Sequence, residues 1–263
     1  MRNSSNRRAL ARGLANGSRT EKILHVLRER TSATLAELSA RLGVSEMTIR
    51  RDVRQLAETG EVIRVPGGAR LANSPAFEKS FAERLRKMGE AKNRIGKAAA
   101  ALVKEGEAVV LDSGTTTLCV ARHLRSHRNI MVLTSSLAVV DELGRCPGIR
   151  LELTGGVYRP SSHDLVGGAV AEGLGRVHAH KVFFGAAAIS FRKGVMVYDS
   201  DEPRCLVQSA AECILVIDSS KIGREALYVF CPVTDCDLIL TDSGIRPEHL
   251  RQLRKRVPVQ IAD

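Results

Sequence analysis

The sequence contains no tryptophan, and aromatic residues make up only 3% of its 263 residues. Domains that bind single-stranded nucleic acid stack the bases on aromatic side chains, so this composition disfavours that class of protein. The sequence also has no run of 18 apolar residues, which argues against a membrane-spanning helix. Its first 19 residues are basic and lack the apolar stretch of a secretory signal, so we expect a cytoplasmic protein.

Paired cysteines are absent as well, since no Cys-x-x-Cys motif occurs. Six cysteines are scattered singly, and we expect them to be reduced and mostly buried. These are Cys119, Cys146, Cys205, Cys213, Cys231 and Cys236. His178 and His180 are close enough in sequence to hold a metal together, but histidines in loop-like segments are more often surface residues. The sequence therefore predicts no metal site and no cofactor.

Positive charge is in excess, with 40 Lys and Arg against 29 Asp and Glu and a net charge of +11. An even spread of such charge serves solubility, whereas a concentration of it indicates an anionic partner. Residues 1–70 carry 14 basic and 7 acidic side chains, a net charge of +7 on about a quarter of the chain. This distribution favours an anionic partner for the N-terminal part.

A change of pattern along the chain predicts the domains. Residues 1–18 are rich in Arg, Ser and Asn, and we expect a disordered basic arm. Residues 19–70 contain three short helix patterns and a glycine-rich turn, which predict a DNA-binding domain. A Ser-Pro break and a charged helical pattern in 71–90 predict a linker with a connector helix. From 91 to 263 strands alternate with helices, which predicts an α/β domain.

Start and stop signals place the three N-terminal helices. Helix patterns cover 19–30, 34–43 and 45–60. Ser18 and Thr34 are each followed three residues later by a Glu, which is the capping-box spacing. The glycines that end the second and third patterns are typical of helix C-termini.

The third helix pattern has two chemically different faces. Ile49, Val53 and Leu56 recur at helical spacing and must face the core. The helix angle then places four long side chains on the opposite face, with Thr48 on its flank. The four are Met47, Arg50, Arg51 and Arg54.

The second and third helices are joined by a short turn at Gly43-Val44, which is the pattern of a helix-turn-helix. In that motif the second helix enters the DNA major groove, where arginine pairs bidentately with guanine. Residues 61–71 follow with short β patterns around a Pro-Gly-Gly turn, which predict the wing of a winged helix. Arg64 and Arg70 on this wing could reach flanking phosphates. The alternative is an oligomerisation or scaffold module with a solvated cationic face.

The C-terminal part has the pattern of an α/β domain with a doubly wound, mostly parallel sheet. Residues 108–112 form a continuous apolar run that ends in an aspartate, as in a buried parallel strand. A helix pattern over 92–106 precedes this run, and another opens at 113. Further strands are predicted at 131–136, 149–156, 181–189, 213–221, 237–242 and 257–263.

The turn after the first of these strands has the residue types of an anion-binding loop. Gly114 permits close backbone approach, and the N-terminus of the next helix points free N–H groups at the loop. Small or polar residues also end the neighbouring strands, where ligands of such sheets bind. The predicted effector site consists of Asp112, Ser113, Gly114, Thr115, Thr116, Thr134, Ser135, Gly155, Gly156 and Lys221. The alternative is that these residues are ordinary caps of strand–helix turns.

Residues 19–70 resemble the DNA-binding domain of the DeoR family. The resemblance rests on the core VSEMTIRRD at 44–52 and the wing RVPGGA at 64–69. It implies a bacterial transcriptional regulator, most often a repressor, that binds double-stranded operator DNA at the nucleoid. The family motif implies DNA contacts by Ser45, Thr48, Arg50 and Arg51. With the side chains noted above, the predicted DNA-binding set is Ser45, Met47, Thr48, Arg50, Arg51, Arg54 and Arg64.

The C-terminal part resembles the DeoR-type sensor domain, which is similar in turn to ribose-5-phosphate isomerase. The resemblance rests on segments such as LDSGTTT at 111–117, LTGGVYRP at 153–160 and IDSSKIG at 217–223. It implies that residues 91–263 form an effector-sensing and oligomerisation domain, and that the effector is a phosphorylated sugar or a related metabolite.

Three segments depart from the family pattern. The family's Thr-Asn at the end of the strand is Thr134-Ser135 here, and its Gly-Ala-Asp-Gly is 185–188, Gly-Ala-Ala-Ala, without a carboxylate. A Glu and a Lys of the family correspond to Asp199 and Pro203, with Asp201 and Glu202 as alternative matches. The phosphate-facing loop is kept while the sugar-facing groups differ. We therefore expect either an unusual effector or a weakened site.

An isomerase needs a positioned general base, and the segment that holds acidic residues in the related isomerases is Ala186-Ala187-Ala188 here. The sequence therefore predicts a regulator and not an enzyme. We expect a homodimeric or homotetrameric repressor of a carbohydrate-metabolism operon, released from DNA by a phosphorylated sugar. Two alternatives are an isomerase-like enzyme and a regulator whose degenerate sensor binds no effector.

Overall fold

The chain divides into two compact units, with the division after residue 79. A computed structural model describes residues 18–30, 32–59, 61–65, 67–71, 81–199 and 204–263. The predicted basic arm before residue 18 lies outside these ranges. So do most of the predicted linker, Gly60 and Pro66, and the three candidates Asp201, Glu202 and Pro203.

The first unit consists of three helices and a three-stranded antiparallel sheet, which confirms the predicted winged helix-turn-helix. The helices are α1 (Arg19–Arg30), α2 (Leu35–Leu42) and α3 (Glu46–Glu58). The strands β1 (Ser32–Thr34), β2 (Val62–Val65) and β3 (Gly68–Leu71) pair in the order β1-β3-β2. The core contains the residues predicted from helical spacing, with Ile23, Leu27, Leu38 and Ile49 fully buried.

Reciprocal caps define where the helices of this unit begin. The Ser18 amide donates to Glu21 Oε2 at 2.7 Å, and the Glu21 amide donates to Ser18 Oγ at 3.2 Å. Thr34 and Glu37 make the same pair of bonds at the start of α2. Gly43 then ends α2 with a φ of +69°, a left-handed conformation that glycine adopts without strain. These caps confirm the predicted helix starts.

Two tertiary features of the first unit have no signal in the sequence pattern. Asp52 is buried in α3, and its carboxylate accepts hydrogen bonds from the Arg19 guanidinium, which raises the pKa of Arg19. This ion pair ties α1 to α3. The second feature is strand β1, which pairs with β3. It lies so close to Gly68 that a Cβ at this position would be 2.4 Å from the Ala33 carbonyl oxygen.

The second unit is built on a sheet of seven parallel strands, in agreement with the predicted doubly wound fold. The strands of this sheet are β4 (Ala108–Leu111), β5 (Ile130–Thr134), β6 (Ile149–Leu153), β9 (Ala179–Phe184), β12 (Ala210–Val216), β14 (Leu238–Asp242) and β15 (Val259–Ala262). Their spatial order is β15, β14, β12, β9, β4, β5 and β6.

Helices and short segments surround this sheet. The helices are α4 (Phe81–Arg86), α5 (Gly89–Ala100), α6 (Thr115–Leu124), α7 (Leu137–Leu143), α8 (Gly168–Gly175) and α9 (Pro247–Arg254). Short 3-10 turns cover Arg204–Gln208, Ser219–Lys221 and Val233–Asp235. The predicted helix over 92–106 is wrong at its end, because α5 stops at Ala100 and turns lead into β4.

The remaining strands are short, antiparallel and were not predicted separately. Strands β7 (Val157–Arg159) and β8 (Asp164–Val166) form a hairpin. Strands β10 (Ala188–Ser190), β11 (Gly194–Val197) and β13 (Tyr228–Cys231) form a second small sheet. The single strand predicted over 181–189 is therefore wrong, because the chain leaves the large sheet after Phe184 and joins the small one at Ala188.

The large sheet separates two hydrophobic layers. Consecutive strand residues point to opposite faces, so Phe183 packs with Leu111 on one side and Phe184 packs with Val182 on the other. Both faces are covered, as expected for a parallel sheet. Within the described ranges, no helix combines the length and apolarity that a membrane crossing requires.

We predict that Gly96→Ala destabilises the second unit. Helix α5 packs on α6 so closely that a Cβ at Gly96 would lie 2.5 Å from the Cys119 carbonyl carbon. Overpacking of this kind costs about 1–3 kcal/mol. Chemical denaturation of the purified protein measures the change in the free energy of unfolding.

Gly89→Ala is the matched control on the same helix, because a Cβ there meets no atom within 4 Å. Alanine replaces glycine favourably in a helix, so this variant should be neutral or slightly stabilised. Equal stability of the two variants would contradict the close packing of α5 on α6.

Candidate nucleic-acid interface and anion site

Helix α3 presents a continuous cationic face to solvent. Its inner face is buried through Ile49, Val53 and Leu56. On the outer face Met47 is 75% exposed, and the arginines predicted beside it are exposed as well. The structure thus places Met47, Arg50, Arg51 and Arg54 on one surface.

The N-terminus of α3 is capped by Ser45, and its hydrogen-bond partner is Thr48, another of the predicted residues. Ser45 Oγ accepts a hydrogen bond from the Thr48 amide at 3.3 Å, and the two hydroxyl oxygens are 2.9 Å apart. Ser45 is exposed and Thr48 is half-buried. Both hydroxyls therefore lie at the N-terminal end of α3. In a helix-turn-helix, this end of the second helix enters the DNA major groove.

The β2–β3 hairpin forms the wing. Arg64 lies opposite Ala69 in the strand register and is exposed. Gly67 in the turn has a φ of +71°, which favours glycine at this position. Arg70 lies on the partner strand opposite Ile63 and is half-buried. Of the two wing arginines named from the sequence, Arg64 is thus the more exposed.

In the second unit, the order of the parallel strands reverses between β4 and β9. Chain order runs outward from β4 to β5 and β6, and then in the other direction from β9 to β15. Reversals of this kind open a crevice at the carboxyl ends of the strands. Asp112 lies in this position, where its amide donates to the Phe183 carbonyl at 3.0 Å and one carboxylate oxygen accepts from the Gly185 amide at 3.3 Å.

The loop after Asp112 leads into the N-terminus of α6. The Gly114 carbonyl accepts from the Leu118 amide at 3.0 Å and from the Thr117 hydroxyl at 2.9 Å. No side chain caps the helix start at Gly114. The amides of 115–117 belong to the first turn, where the helix itself supplies no acceptors. This is the local geometry of an anion-binding helix N-terminus.

A small cleft opens beside this loop. Of the predicted effector residues, Asp112, Ser113 and Ser135 line it. The hairpin β7–β8 supplies another wall through Arg159 and Asp164. Apolar side chains form the remainder, namely Val110, Leu111, Leu165, Val166, Val170, Leu174 and Leu206. Gly114 follows in the same loop, and the buried residues Thr115 and Thr116 begin α6.

Arg159 was not among the predicted site residues, although it lies in the quoted segment 153–160. Its guanidinium donates to Asp164 Oδ2 at 2.8 Å and to Ser162 Oγ at 2.6 Å, and also to the Asp199 carboxylate. The side chain of Asp164 is only 2% exposed. Two carboxylates therefore balance the charge of Arg159. One of them is Asp199, which the family resemblance matched to a glutamate and which is linked to the cleft through Arg159.

The other predicted effector residues lie around the cleft and not in its lining. Thr134 is fully buried, and its hydroxyl donates to the Leu111 carbonyl at 2.6 Å, which joins two strand ends. Gly155 and Gly156 are exposed beyond β6, at the edge of the sheet. Lys221 lies after β12 and donates to the Ala186 carbonyl at 2.7 Å.

The two histidines considered as metal ligands are exposed, and the six cysteines form no disulfide. His178 and His180 are exposed, and His180 Nδ1 accepts from the Ala108 amide at 3.0 Å. All six cysteines are free, and burial raises the pKa of Cys213 to about 12. In the described part of the chain, no three His, Cys, Asp or Glu residues cluster as metal ligands would.

Two protein families match this chain. The family described as the DeoR-like helix-turn-helix domain matches residues 19–75, and the DeoR C-terminal sensor domain matches residues 87–243. The ribose 5-phosphate isomerase A structure from Methanocaldococcus jannaschii aligns with a TM-score of 0.39 at 16% identity, over 52% of this chain and 55% of that chain.

Relatives of similar length share about a third of the sequence. A candidate aga operon transcriptional repressor of Escherichia coli O157:H7 is 35% identical over 90% of both chains. The HTH-type transcriptional repressor GlcR of Bacillus subtilis is 33% identical over 84% of this chain and 86% of its own. The lactose phosphotransferase system repressor of Lactococcus lactis is 32% identical over 93% of this chain and 98% of its own.

Proposed function

The chain belongs to the DeoR family of DNA-binding transcriptional regulators, and from that premise we propose that it represses a carbohydrate-metabolism operon until a phosphorylated sugar releases it from the operator. The observation that carries the proposal is the exposed face of α3, where three arginines and a methionine lie in a row that begins in the first turn after a capped N-terminus. The carbohydrate operon is inferred from relatives named as repressors of the aga operon and of a lactose phosphotransferase system.

In the proposed complex, α3 lies in the major groove. Arg50, Arg51 and Arg54 can pair with guanine edges or with phosphates, and the hydroxyls of Ser45 and Thr48 can contact either. The wing residue Arg64 then contacts a phosphate at the groove margin. The net charge of +7 over 1–70 supports this placement, because phosphate neutralisation supplies much of the affinity for DNA.

We propose further that the protein acts as a homodimer or homotetramer in the bacterial cytoplasm, at the nucleoid. A symmetric oligomer presents two winged helices to two half-sites, which makes binding to a palindromic operator tighter than binding of one unit.

The proposed effector site is the cleft at the strand reversal. Its predicted residues Asp112, Ser113 and Ser135 line the cleft. The effector's phosphate would bind the free amides at the start of α6, as anions do at helix N-termini. Release from DNA requires that the effector bind the DNA-free state more tightly than the DNA-bound state.

Arg51→Ala should weaken operator binding by about 1–3 kcal/mol, the cost of losing a bidentate base contact. Gel-shift titration of an operator selected from random duplex DNA measures the dissociation constant. Arg224→Ala is the matched control, since it removes the same charge from an exposed site in the second unit. Equal affinities of the two variants would remove Arg51 from the interface.

Met47 should contact a thymine methyl group, since it is the exposed apolar side chain on a face otherwise built from arginines. Replacing one operator thymine with deoxyuridine removes that methyl group. At the contacted position this should weaken wild-type binding by about 0.8 kcal/mol, roughly fourfold. Met47→Ala should bind the two DNAs equally, and a penalty of unchanged size would argue against this contact.

A phosphorylated sugar should raise the unfolding temperature of the protein. At a ligand concentration about 100-fold above the dissociation constant, binding stabilises by about 2.7 kcal/mol. Ser113→Asp should abolish this effect, because it places a carboxylate in the anion loop. Screening phosphorylated sugars and polyols by thermal unfolding tests both expectations.

The control for that screen is Ser243→Asp, because Ser243 lies in the same tripeptide, Asp-Ser-Gly, after another strand of the sheet and is exposed. It should respond to the effector as the wild type does. If no compound shifts unfolding or releases DNA, the sensing part of the proposal fails and a regulator with a degenerate sensor remains.

A further inference from the structure

Strand β6 is an edge of the large sheet, and its outer side is open. It pairs with β5 on one side, and among the described residues no strand pairs with it on the other. Proteins protect such edges with proline, lysine or bulges, because an exposed edge pairs readily with another chain. The residues of β6, Ile-Arg-Leu-Glu-Leu at 149–153, include neither proline nor lysine, and their register with β5 has no bulge. This edge is therefore available to a further strand.

The hydrogen bonds at the two ends of β6 show which of its backbone groups face outward. The Gly148 carbonyl and the Thr154 amide both bond to β5, at 3.4 and 3.1 Å. Alternate residues of a strand point their amide and carbonyl groups to the same side, so the even-numbered residues of β6 face β5. The backbone groups of Leu151 and Leu153 therefore face away from the sheet, where a further strand would bond to them.

The sequence of β6 is complementary to itself when it is read in the opposite direction about Leu151. In an antiparallel pair with that centre, Leu151 lies opposite Leu151 of the partner subunit. Arg150 then lies opposite Glu152 of the partner subunit, and Ile149 opposite Leu153 of the partner subunit. Residues opposite each other share a face, so the charged pairs occupy one face and the apolar pairs the other. The same register brings the outward-facing backbone groups of both strands together.

The charges of β6 favour this register over its neighbours. Arg150 and Glu152 form a salt bridge of 2.7 Å within the strand, and the arginine side chain is 76% exposed. In the pair of strands these four side chains form a rectangle, and each of its sides joins an arginine to a glutamate. The nearest registers that keep the backbone bonds place Arg150 or Glu152 opposite its own copy, where like charges destabilise the pairing.

Exposed apolar side chains follow the end of β6. Leu153 is 43% exposed, and Val157, the first residue of β7, is 70% exposed. Tyr158 beside it is exposed too. Large apolar side chains that are exposed together are typical of a surface that another protein covers. The other edge strand of the large sheet, β15, has no charged residue that could fix a register in the same way.

We propose that β6 is a dimer interface, at which the β6 strands of two copies of this chain pair antiparallel about a two-fold axis at Leu151. The inference rests on the oligomer in the proposed function and assigns it a surface and a register. The pairing joins the two seven-stranded sheets into one continuous sheet. Main-chain hydrogen bonds hold the two strands, and the salt bridges of Arg150 to Glu152 of the partner subunit fix their register.

Charge reversal in full-length protein tests the pairing, with sedimentation velocity over a dilution series as the measurement. Arg150→Glu places like charges opposite each other at two points of the symmetric dimer, and so does Glu152→Arg. Each should raise the dissociation constant of the β6 contact by roughly 10- to 100-fold and so halve the mass of the assembly at intermediate concentrations. Arg176→Glu is the matched control, because Arg176 is equally exposed and forms a salt bridge with Glu172. It should leave the mass unchanged.

A mixture of the two variants distinguishes a contact between copies from a contact within one chain. Each variant has like charges at 150 and 152, so both lose the salt bridge inside their own strand. In a mixed pair, the acidic side chains of one copy lie opposite the basic side chains of the other. Equimolar Arg150→Glu and Glu152→Arg should therefore associate with each other about as tightly as the wild type does with itself. Failure of the mixture to associate would overturn the interface.

Amide hydrogen exchange reports on the backbone bonds of the same pairing. In the wild-type assembly the amides of Leu151 and Leu153 should exchange slowly, and in Arg150→Glu they should exchange faster. The amides of 150 and 152 bond to β5 and should stay protected in both proteins, which shows that the variant is folded. Protection of Leu151 and Leu153 that persists after dissociation would contradict the proposed pairing.

Two further outcomes separate this inference from the proposed function. If the wild type is an oligomer whose mass neither reversal changes, the β6 interface is wrong and the proposed oligomer stands. If the wild type is monomeric at micromolar concentration, with and without operator DNA, the proposed oligomer fails together with this inference.

Discussion

The reversal of strand order between β4 and β9 is the constraint on which the second unit depends. The chain leaves these two parallel strands toward opposite sides of the sheet. No connection therefore covers their carboxyl ends, and a crevice forms there. Asp112 spans the crevice by accepting from the Gly185 amide while its own amide donates to β9. The start of α6, the hairpin β7–β8 and Lys221 are arranged around that point, so the position of the proposed anion site follows from the topology.

The two units would bind phosphate by different physical means. On α3, long arginine side chains project into solvent, where they can follow a repeating array of phosphates and read base edges. In the second unit, the polar groups are backbone amides and short hydroxyls on a rigid sheet, which suit one small anion held in one position. This difference accounts for the concentration of +7 of the net charge of +11 in residues 1–70, although we propose anionic ligands for both units.

Hydrogen bonds between residues close in sequence were sufficient to predict the helices of the first unit. Contacts between residues far apart in sequence left no such pattern. Caps at Ser18, Thr34 and Ser45 predicted the helix starts, because those hydrogen bonds join residues three apart. Strand β1 was missed because three residues show no periodicity, and only its pairing with β3 makes it a strand. The same difference between local and long-range signals applies to the site residues. The loop at 112–117 is contiguous and was predicted, whereas Arg159 meets Asp199, 40 residues away, only in the folded chain.

Arg159 shows how charge balance identifies a structural cation at the cleft. Arg159 contacts the cleft, yet Asp164 and Asp199 both bind its guanidinium, so it holds the hairpin β7–β8 in place and has little net charge to offer. The contribution of Arg159 to the cleft is therefore the position of the hairpin and not a free positive charge. This leaves the backbone amides at the start of α6 as the anion-binding groups of the proposed site.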